Sequence, residues 1–353
     1  MNIGLLTSGG DCAGLNAVMY GFVKAITAFD PKVEIYGIIG GYSGLINRSF
    51  RKMKHEEFAN ILNVGGTILG TSRLSYKELV KSEDNETITA IKENYHKMGL
   101  DILIVLGGQG TYKKAKLLAD EGIKLICLPK TIDNDIFGTD ITFGFHSAVD
   151  VATECIDRIR TTAASHGRTM LVEIMGNKVG WLTLYAGIGG GADIILIPEI
   201  PYDIDKVVKA AQKANDRNGY CVMAVAEGAM DKDEAALSKK ERCQKREERG
   251  EITDSNRIAK VIASALNTET RVMVTGHIVR GGNPTPYDRI ICTQMGAYAA
   301  KLVNEKQFGA TVAISNGKIT HNNLVDIAGE TKFVSKDHEL VQASRDVGIT
   351  FGD

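Results

Sequence analysis

Short apolar runs alternate with helix-length amphipathic stretches along most of this chain. Runs such as Ile3–Thr7 and Ile102–Leu106 have the length and apolar character of buried strands, whereas Leu15–Phe29 carries its apolar residues at helical spacing. This alternation predicts an α/β fold with mostly parallel sheets, because each parallel connection needs a crossing helix. The same pattern predicts strands at Val33–Ile39, Lys124–Leu128, Met170–Met175, Ile194–Pro198, Tyr220–Ala226 and Arg271–Thr275, and helices at Glu86–Met98, Tyr112–Glu121, His146–Thr162, Val179–Gly187, Asp203–Asn215 and Asn256–Thr268.

The charge balance of the chain excludes several classes of partner. Its 42 basic and 43 acidic residues leave a net charge of −1, so no overall field attracts nucleic acid or an anionic membrane. The most charged segment, Asp231–Glu251, mixes both signs evenly, which predicts a solvated helical surface. No apolar run approaches the roughly 18 residues of a membrane-spanning helix, and the N-terminus lacks a signal-peptide pattern. Six scattered cysteines without a CxxC pair predict free thiols in a cytoplasmic protein.

Two glycine-rich loops follow predicted strands. Ser8–Asp11 reads SGGD and Gly107–Thr111 reads GGQGT. Backbone amides in such loops, at the start of the next helix, can bind phosphate. Neither loop has the GxGxxG spacing of a nicotinamide-dependent oxidoreductase or the Gly-Lys-Ser/Thr ending of a P-loop. A tight strand-to-helix turn remains the alternative for either loop alone, but two loops at neighbouring strand ends favour a ligand site.

The segment after the strand at Lys124–Leu128 carries the chemistry. It reads PKTIDND and places Asp133 and Asp135 two residues apart, close to Lys130. Paired carboxylates of this kind suit phosphoryl transfer, in which one accepts the proton of the attacking hydroxyl and the other orients a magnesium-bound phosphate. The alternative is an Asx-rich turn with a purely structural role.

Basic residues stand at the ends of several other predicted elements. Arg73 follows a glycine-containing loop and Arg168 precedes a strand, while Arg271, His277 and Arg280 cluster about a later one. Guanidinium groups at such positions can hold phosphate in a bidentate grip, although each alone could equally form a surface salt bridge. Together with Glu227 at a strand end, they favour a site for a phosphorylated ligand.

Taken together, these segments resemble the phosphofructokinase family across roughly residues 1–325. The order and spacing of the segments carry the resemblance. They are TSGGDCAGLNAV (7–18), GGTILGTSR (65–73), GGQGT (107–111), PKTIDNDI (129–136), SHGR (165–168), EIMG (173–176), AEG (226–228) and GHIVRGGNPTPYDR (276–289).

The resemblance implies two Rossmann-like α/β/α domains, a number that also suits a chain of 353 residues. It assigns residues 1–142 plus about 257–305 to a nucleotide-binding domain and residues 143–256 plus about 306–325 to a sugar-phosphate-binding domain. Residues 326–353 are left as a C-terminal extension. The implied activity is the glycolytic transfer of a phosphoryl group from ATP, with Mg²⁺, to the 1-hydroxyl of fructose 6-phosphate by a homotetramer.

The resemblance also implies a role for individual residues. Asp133 is the expected catalytic base, Thr131 lies beside it, Asp135 helps to hold magnesium and phosphoryl group, and Arg73 lies near the transferred group. The expected nucleotide-side residues are Gly10, Tyr42, Arg73, Gly108, Gln109, Gly110 and Thr111, and the expected sugar-side residues are Thr131, Asp133, Arg168, Met175, Gly176, Glu227, Arg271, His277 and Arg280. Arg168 and Arg271 are expected to come from a neighbouring subunit, with His277 and Arg280 at the 6-phosphate.

Four residues leave alternatives open. In the family, Gly110 favours ATP, whereas Lys130 is typical of pyrophosphate-dependent members. Gln109 stands where the family usually has a carboxylate that touches magnesium, and Asn177 replaces an arginine that commonly neutralises charge in the transition state. ATP-dependent phosphorylation is therefore the main interpretation. The alternatives are a pyrophosphate-dependent enzyme and a catalytically impaired paralogue that binds the sugar phosphate.

Overall fold

The chain divides into two units, and each unit takes in segments that are distant in sequence. The computed structural model describes residues 1–76, 79, 86–250 and 253–353. The first unit comprises Met1–Ser147 and Arg280–Lys332, and the second comprises Ala148–Val279 and Phe333–Asp353. Each unit contains its own β-sheet, so the predicted α/β class is confirmed.

The strands and helices lie close to the bounds that the apolar periodicity predicts. The strands are β1 (Asn2–Ser8), β2 (Glu34–Ile38), β3 (Phe50–Met53), β4 (Ile102–Gly107), β5 (Leu125–Pro129), β6 (Thr169–Ile174), β7 (Ile194–Leu196), β8 (Cys221–Ala226), β9 (Thr270–Val274), β10 (Ala310–Ser315) and β11 (Lys318–Asn323). The helices are α1 (Leu15–Phe29), α2 (Tyr42–Asn47), α3 (Glu86–Lys97), α4 (Gln109–Asp120), α5 (Phe145–His166), α6 (Trp181–Gly189), α7 (Ile204–Asn218), α8 (Lys232–Ala235), α9 (Lys239–Glu248), α10 (Ser255–Leu266), α11 (Pro286–Asn304), α12 (Leu324–Ile327) and α13 (Glu339–Asp346). Two short 3₁₀-helices span His55–Phe58 and Gly276–Arg280. In the described ranges, no helix is both long enough and apolar enough to cross a bilayer.

The first unit is built on a seven-stranded sheet in the order β11-β10-β5-β4-β1-β2-β3. The five inner strands run parallel, and the two edge strands, β3 and β11, run antiparallel to their neighbours. Every residue of β4 and β5 is buried, as expected for parallel strands covered on both faces. The carboxyl ends of β1, β4 and β5 therefore meet at one edge of a rigid sheet.

Glycines let α1 and α11 approach each other closely in the first unit. A β-carbon at Gly21 would lie 2.6 Å from the carbonyl oxygen of Thr293, and one at Gly296 would lie 2.4 Å from that of Val18. Neither distance leaves room for a side chain, so the two backbones touch where the helices cross. Any larger residue at Gly21 or Gly296 forces the helices apart.

The second unit has a four-stranded sheet in the order β7-β8-β6-β9, and all its strands are parallel. Strands β6, β7 and β8 are fully buried, whereas β9 at the edge is partly exposed. Its core includes Leu171, Leu196, Tyr202, Met223 and Ile258.

The two units do not follow the predicted domain boundaries. Residues 306–325 were expected with the second domain, but they form β10 and β11, and β10 pairs with β5 in the first unit. Residues 257–279 were expected with the first domain, but they form most of α10 and all of β9, and β9 pairs with β6 in the second unit. Strand pairing over such sequence distances leaves no local signal in the sequence.

Residues 326–353 complete both units instead of forming an extension. Thr331 makes a β-bridge with Ile136 in the first unit, and Thr350 makes one with Ile194 in the second. Phe351 is fully buried and stacks under the guanidinium of Arg345, 5.1 Å from its ring centre. The C-terminal residues are therefore part of the core of each unit.

Candidate active site

Three loops of the first unit lie side by side at the carboxyl ends of β1, β4 and β5. In the sheet, Ser8 pairs with Gly107, and Gly107 pairs with Pro129. The amide of Lys130 continues the ladder by donating to the carbonyl of Gly107, 3.1 Å away. The two glycine loops, predicted at neighbouring strand ends, therefore lie beside the PKTIDND segment at the same end of the sheet. Ligands of parallel α/β sheets bind at this edge.

The loop at Gly9 and Gly10 is held from both sides. The amide of Gly9 donates to the Ser72 carbonyl over 3.2 Å, and the Thr71 hydroxyl donates to the Gly9 carbonyl over 2.7 Å. Thr71 and Ser72, which immediately precede Arg73, therefore lie alongside the loop at Gly9 and Gly10. The side chain of Arg73 is exposed. On the other side, a β-carbon at Gly10 would lie 2.8 Å from Nη1 of Arg280. Arg73 and Arg280 thus lie near the same glycines.

Lys130 also holds the loop at Gly9 and Gly10. Its side chain is buried, and Nζ donates to the Gly10 carbonyl over 2.5 Å. Burial lowers the pKa of the Lys130 ammonium, because the charged form is removed from water. Lys130 therefore has a structural role in the glycine loop, whichever donor the site accepts.

The second glycine loop begins helix α4 and leaves space at its tip. Gly108 precedes the helix, and among the described residues no atom outside the backbone of α4 itself lies within 4 Å of a β-carbon placed at Gly110. The Thr111 carbonyl accepts a hydrogen bond from the Tyr42 hydroxyl over 3.4 Å. Tyr42 is fully buried, and burial raises the pKa of its hydroxyl. Tyr42 was expected on the nucleotide side, but it lies in the core beneath the loop, with no surface exposed to a ligand.

Gln109 faces a segment near the C-terminus. Its Nε2 donates to the Glu330 carbonyl over 2.9 Å and to the Gly329 carbonyl over 3.4 Å, and it also contacts the Thr331 hydroxyl. The amide nitrogen therefore tethers residues 329–331 to the start of α4. Only the amide oxygen is left to act as a metal ligand.

The segment with the paired aspartates forms a turn braced by its own side chains. The Thr131 hydroxyl accepts from the Asp133 amide over 3.0 Å. Asn134 has a left-handed backbone, with φ 51°, and its buried Oδ1 accepts from the Thr142 amide over 3.0 Å. Asp133 and Asp135, on either side of Asn134, are both partly exposed. The turn thus places two partly exposed aspartates directly after β5, whose carboxyl end lies beside that of β4.

Lys332 holds this turn from a distant part of the sequence. Its Nζ donates to Asn134 Oδ1 over 2.9 Å and to the carbonyls of Thr139 and Asp140 over 2.9 and 2.8 Å. Its backbone amide donates to the Asp135 carbonyl over 2.9 Å. Sequence reasoning missed Asn134 and Lys332. For Asn134 the signal was its position between two aspartates, and for Lys332 there was none.

In the second unit, the loops after β6 and β8 pack against each other. The Glu227 amide donates to the Ile174 carbonyl over 2.8 Å, and the Gly228 amide donates to the Gly176 carbonyl over 3.1 Å. A β-carbon at Gly228 would lie 2.2 Å from the Asn177 carbonyl oxygen, so only glycine fits there. These contacts bring the predicted residues Met175, Gly176 and Glu227 together.

A cavity of about 590 Å³ opens beside these two loops. Asn177, Glu227 and Gly228 line one side, and residues of helix α9 line another. This volume lies within the usual range of small-molecule sites, roughly 300–1,000 Å³. It is therefore a candidate binding site within the second unit.

The remaining predicted residues of the second unit lie at two different ends of its sheet. His277 follows β9 in a 3₁₀-helix and is exposed at the carboxyl end. Arg168 precedes β6, and Arg271 pairs with Met170 near the start of that strand, so both lie at the amino end. There, Glu269 accepts from Arg168 Nε over 2.6 Å and also contacts Arg271. Within one copy of this unit, the sheet register separates Arg271 from Glu227 by roughly 16 Å along the strands and Arg168 from Glu227 by roughly 23 Å.

The donor set of the first unit fits a magnesium ion that arrives with phosphate better than a resident metal. In the part of the chain that the structure describes, no group of three or more His, Cys, Asp or Glu side chains could hold an ion. Mg²⁺ commonly takes only one or two protein carboxylates and completes its shell with water and substrate phosphates. The two carboxylates of the Asp133–Asp135 turn are compatible with that mode.

Comparison with known proteins agrees with this geometry. The family model for phosphofructokinase matches residues 2–303. An ATP-dependent 6-phosphofructokinase of Spirochaeta thermophila is 48% identical and covers 99% of this chain and 97% of its own length. ATP-dependent 6-phosphofructokinase 3 of Bacteroides thetaiotaomicron is 41% identical over the full length of both chains.

Solved structures show the same fold. The Pichia pastoris phosphofructokinase in the T-state has a TM-score of 0.79 and 29% identity, and the match covers 93% of this chain. The match covers only 35% of the Pichia chain, so this chain spans about a third of that protein. A pyrophosphate-dependent phosphofructokinase of Nitrosospira multiformis has a TM-score of 0.82 at 19% identity over 96% of this chain and 87% of its own, which shows the fold alone. By sequence and by fold, the chain belongs to the phosphofructokinase family.

Proposed function

We propose that this protein transfers the terminal phosphoryl group of ATP to the 1-hydroxyl of fructose 6-phosphate. The observation that carries the proposal is the turn at Asp133 and Asp135, held by buried hydrogen bonds beside two glycine loops. Full-length relatives that are named ATP-dependent 6-phosphofructokinases support ATP as the donor. The open space at Gly110 supports it as well, because a bulkier donor than pyrophosphate needs room there.

In this mechanism, Asp133 accepts the proton of the sugar hydroxyl as the phosphoryl group moves in line. Backbone amides of the Gly10 and Gly110 loops, together with the Arg73 guanidinium, stabilise the negative charge that spreads over the transferred group. Asp135 would hold Mg²⁺, which, when bound, neutralises charge on the phosphates. Thr131 keeps Asp133 oriented, since its hydroxyl accepts from the Asp133 amide.

The sugar phosphate is proposed to bind at the loops after β6 and β8. Glu227 would accept hydrogen bonds from sugar hydroxyls, and Met175 and Gly176 would pack against the ring. His277 and Arg280 stay the predicted partners of the 6-phosphate. Asn177 lines the cavity in place of the arginine common in the family, so this position supplies no positive charge.

We propose a homo-oligomer, with a homotetramer as the expected form, in which sites are shared between copies. The support is that Arg168 and Arg271 lie at the amino end of the sheet, away from Glu227. At the carboxyl end of β9, two large apolar residues are unusually exposed, Val274 at 56% and Ile278 at 65%. A second copy would cover these apolar residues. Arg168 and Arg271 of one copy would then reach the sugar site of the other. All six cysteines are free thiols, which supports the proposed cytoplasmic location.

Initial rates with fructose 6-phosphate and Mg²⁺, with ATP or pyrophosphate in parallel, test the function. We expect turnover with ATP. Asp133→Asn should lower kcat by roughly 10²–10⁴-fold, the usual contribution of a general base. The matched control is Asp140→Asn, an exposed aspartate that follows the same turn and should keep its rate. Turnover with pyrophosphate alone would replace ATP as the donor, and sugar binding without turnover would indicate an impaired paralogue.

A further inference from the structure

Residues 329–332, the last four residues of the first unit, contact two of the loops that form the candidate active site. At the start of α4, Gln109 binds two backbone carbonyls of this segment through its side-chain nitrogen. At the other end of the segment, Lys332 binds the turn with the paired aspartates through its backbone amide and its side chain. One short stretch of chain thus connects the second glycine loop with that turn.

The sheet holds only the base of each of these two loops. The paired residues of β4 and β5 end at Gly107 and Pro129, whereas Gln109 and the paired aspartates come later in the chain. Beyond that point, Thr331 forms a β-bridge with Ile136, the residue that follows the second aspartate. The segment therefore adds contacts to both loops where the pairing of β4 with β5 has stopped.

The contact at Gln109 requires a hydrogen-bond donor. The carbonyls of Gly329 and Glu330 lie 3.4 and 2.9 Å from Nε2. Backbone carbonyls can only accept, so the amide nitrogen of Gln109 must face them. A carboxylate in its place has no proton to donate at neutral pH and would repel both oxygens. An amide side chain is therefore what the segment needs at this position.

We propose that Gln109 is a positioning residue that acts on the paired aspartates through residues 329–332. Gln109 anchors the segment, and Lys332 passes the constraint to the turn that carries Asp133. The inference rests on the proposed function and deepens it, because it gives Gln109 a role in aligning the catalytic base with the glycine loop, in place of a role in binding magnesium. Small displacements of catalytic groups can lower turnover by up to about a hundredfold.

Hydrogen exchange of the protein alone, without nucleotide, sugar or metal, tests the anchor. In Gln109→Glu, amides of residues 329–332 should exchange about tenfold faster or more, since the variant loses its donor and sets a negative charge against two carbonyls. The Lys332 amide reports on the turn, because it donates to the Asp135 carbonyl. Glu330→Gln is the matched control, because it changes an exposed side chain and keeps the carbonyl that Gln109 binds. Unchanged exchange in Gln109→Glu would overturn the proposal.

The magnesium dependence of the rate separates alignment from metal binding. If Gln109 acts through the segment, Gln109→Glu should lower kcat roughly 10–100-fold and leave the Mg²⁺ concentration for half-maximal rate nearly unchanged. Gln109→Met, which removes the donor without adding a charge, should lower kcat as well. A magnesium ligand predicts the opposite for Gln109→Glu, because Mg²⁺ prefers carboxylate oxygens. Less Mg²⁺ would then be needed and kcat would be kept, which would overturn the proposal.

A double-variant cycle tests whether Gln109 acts through Lys332. Both side chains are proposed to hold one turn through one segment, so their effects should not add. Gln109→Glu combined with Lys332→Met should therefore lower kcat about as much as the more damaging single substitution. Losses that multiply would show that the two residues act independently, and the proposed route through the segment would be wrong.

The outcomes separate this inference from the function on which it rests. If the wild-type enzyme phosphorylates fructose 6-phosphate but Gln109→Glu changes neither exchange nor kcat, the positioning role is wrong and the function stands. If no donor supports turnover, the proposed function fails. Faster exchange at the Lys332 amide in Gln109→Glu would then still support the anchor, and unchanged exchange would overturn both.

Discussion

Replacement of Glu234 by glutamine should release helix α9 from the second unit. The carboxylate is 3% exposed and faces Arg246 at 2.5 Å, with Arg249 as a second partner. Glu234→Gln keeps the volume but leaves a buried guanidinium charge without its carboxylate, which commonly costs about 3–5 kcal/mol. Asp254 Oδ2 lies 4.0 Å from Arg246 and offsets part of the loss, so we expect about 3 kcal/mol, the lower end of that range.

Hydrogen exchange measures this loss where it occurs. A penalty of about 3 kcal/mol corresponds to roughly a hundredfold larger undocked population, so amides of α9 should exchange up to about a hundredfold faster. Amides of β8 should keep their protection, because the helix can leave without opening the sheet. Glu248→Gln, an exposed acid at the end of α9, is the control. Unchanged exchange in α9 would refute the argument that Glu234 holds the helix.

A double substitution checks the physical cause. Glu234→Leu combined with Arg246→Met removes both charges and keeps apolar volume, a change that is often neutral for buried pairs. Protection of α9 should therefore return towards the wild-type level. If the double variant exchanges as fast as Glu234→Gln, then side-chain shape and not an uncompensated charge explains the effect.

Three further predictions concern the donor, the catalytic turn and pH. Gly110→Asp should fold normally, since no described atom outside the backbone of α4 lies within 4 Å of the added β-carbon, yet it should lose most ATP turnover. Gly110→Ala is the uncharged control, and similar rates for both variants would contradict the argument that open space at Gly110 admits ATP. Lys332→Met should lower kcat by roughly 10–100-fold and keep both KM values within twofold. The reason is that Lys332 holds the turn with Asp133 and Asp135, and small displacements of catalytic groups have effects of this size. A kcat within twofold of wild type would show that Lys332 does not position the turn. Burial raises the pKa of Glu199, so its contribution to stability is present below pH 4.5 and lost as the pH rises through the raised value. The thermal midpoint of the wild type should fall relative to that of Glu199→Gln over this window, and parallel midpoints between pH 4 and 7 would exclude the effect.

The sequence predicts local structure well here, because the signals are local. Leu15–Phe29 is predicted as a helix from apolar spacing alone, and the structure gives α1 the same bounds. The positions of the glycine loops and the paired aspartates follow in the same way, since each stands directly after an apolar run. All of these predictions rest on turn-forming residues and on apolar periodicity, and both determine structure within about ten residues of the chain.

Long-range partners could not be predicted. The pairing of β10 with β5 moves residues 306–325 into the first unit, and the reach of Lys332 to Asn134 crosses nearly 200 residues of sequence. The opposite placement of Arg271 and Glu227 could have been anticipated. In a parallel sheet, residues near the start of one strand and after the end of another lie at opposite edges. Tyr42 shows a further limit of prediction from sequence. A residue expected at a ligand-binding loop can instead pack in the core beneath that loop, as the fully buried Tyr42 does.

The glycine crossing of α1 and α11 also has a consequence for how the protein is made. Helix α1 ends at Phe29 and its partner begins only at Pro286, so the ribosome must complete the central part of the second unit before the two can meet. At a synthesis rate of about 5–20 residues per second, the apolar face of α1 stays without its partner helix for tens of seconds. Nascent chains halted before α11 emerges should therefore bind chaperones through α1 and be cleaved there by protease. Chains halted after β11 has emerged should resist cleavage at α1. Equal cleavage of the shorter and the longer chains would show that another segment packs on α1 before α11 is made.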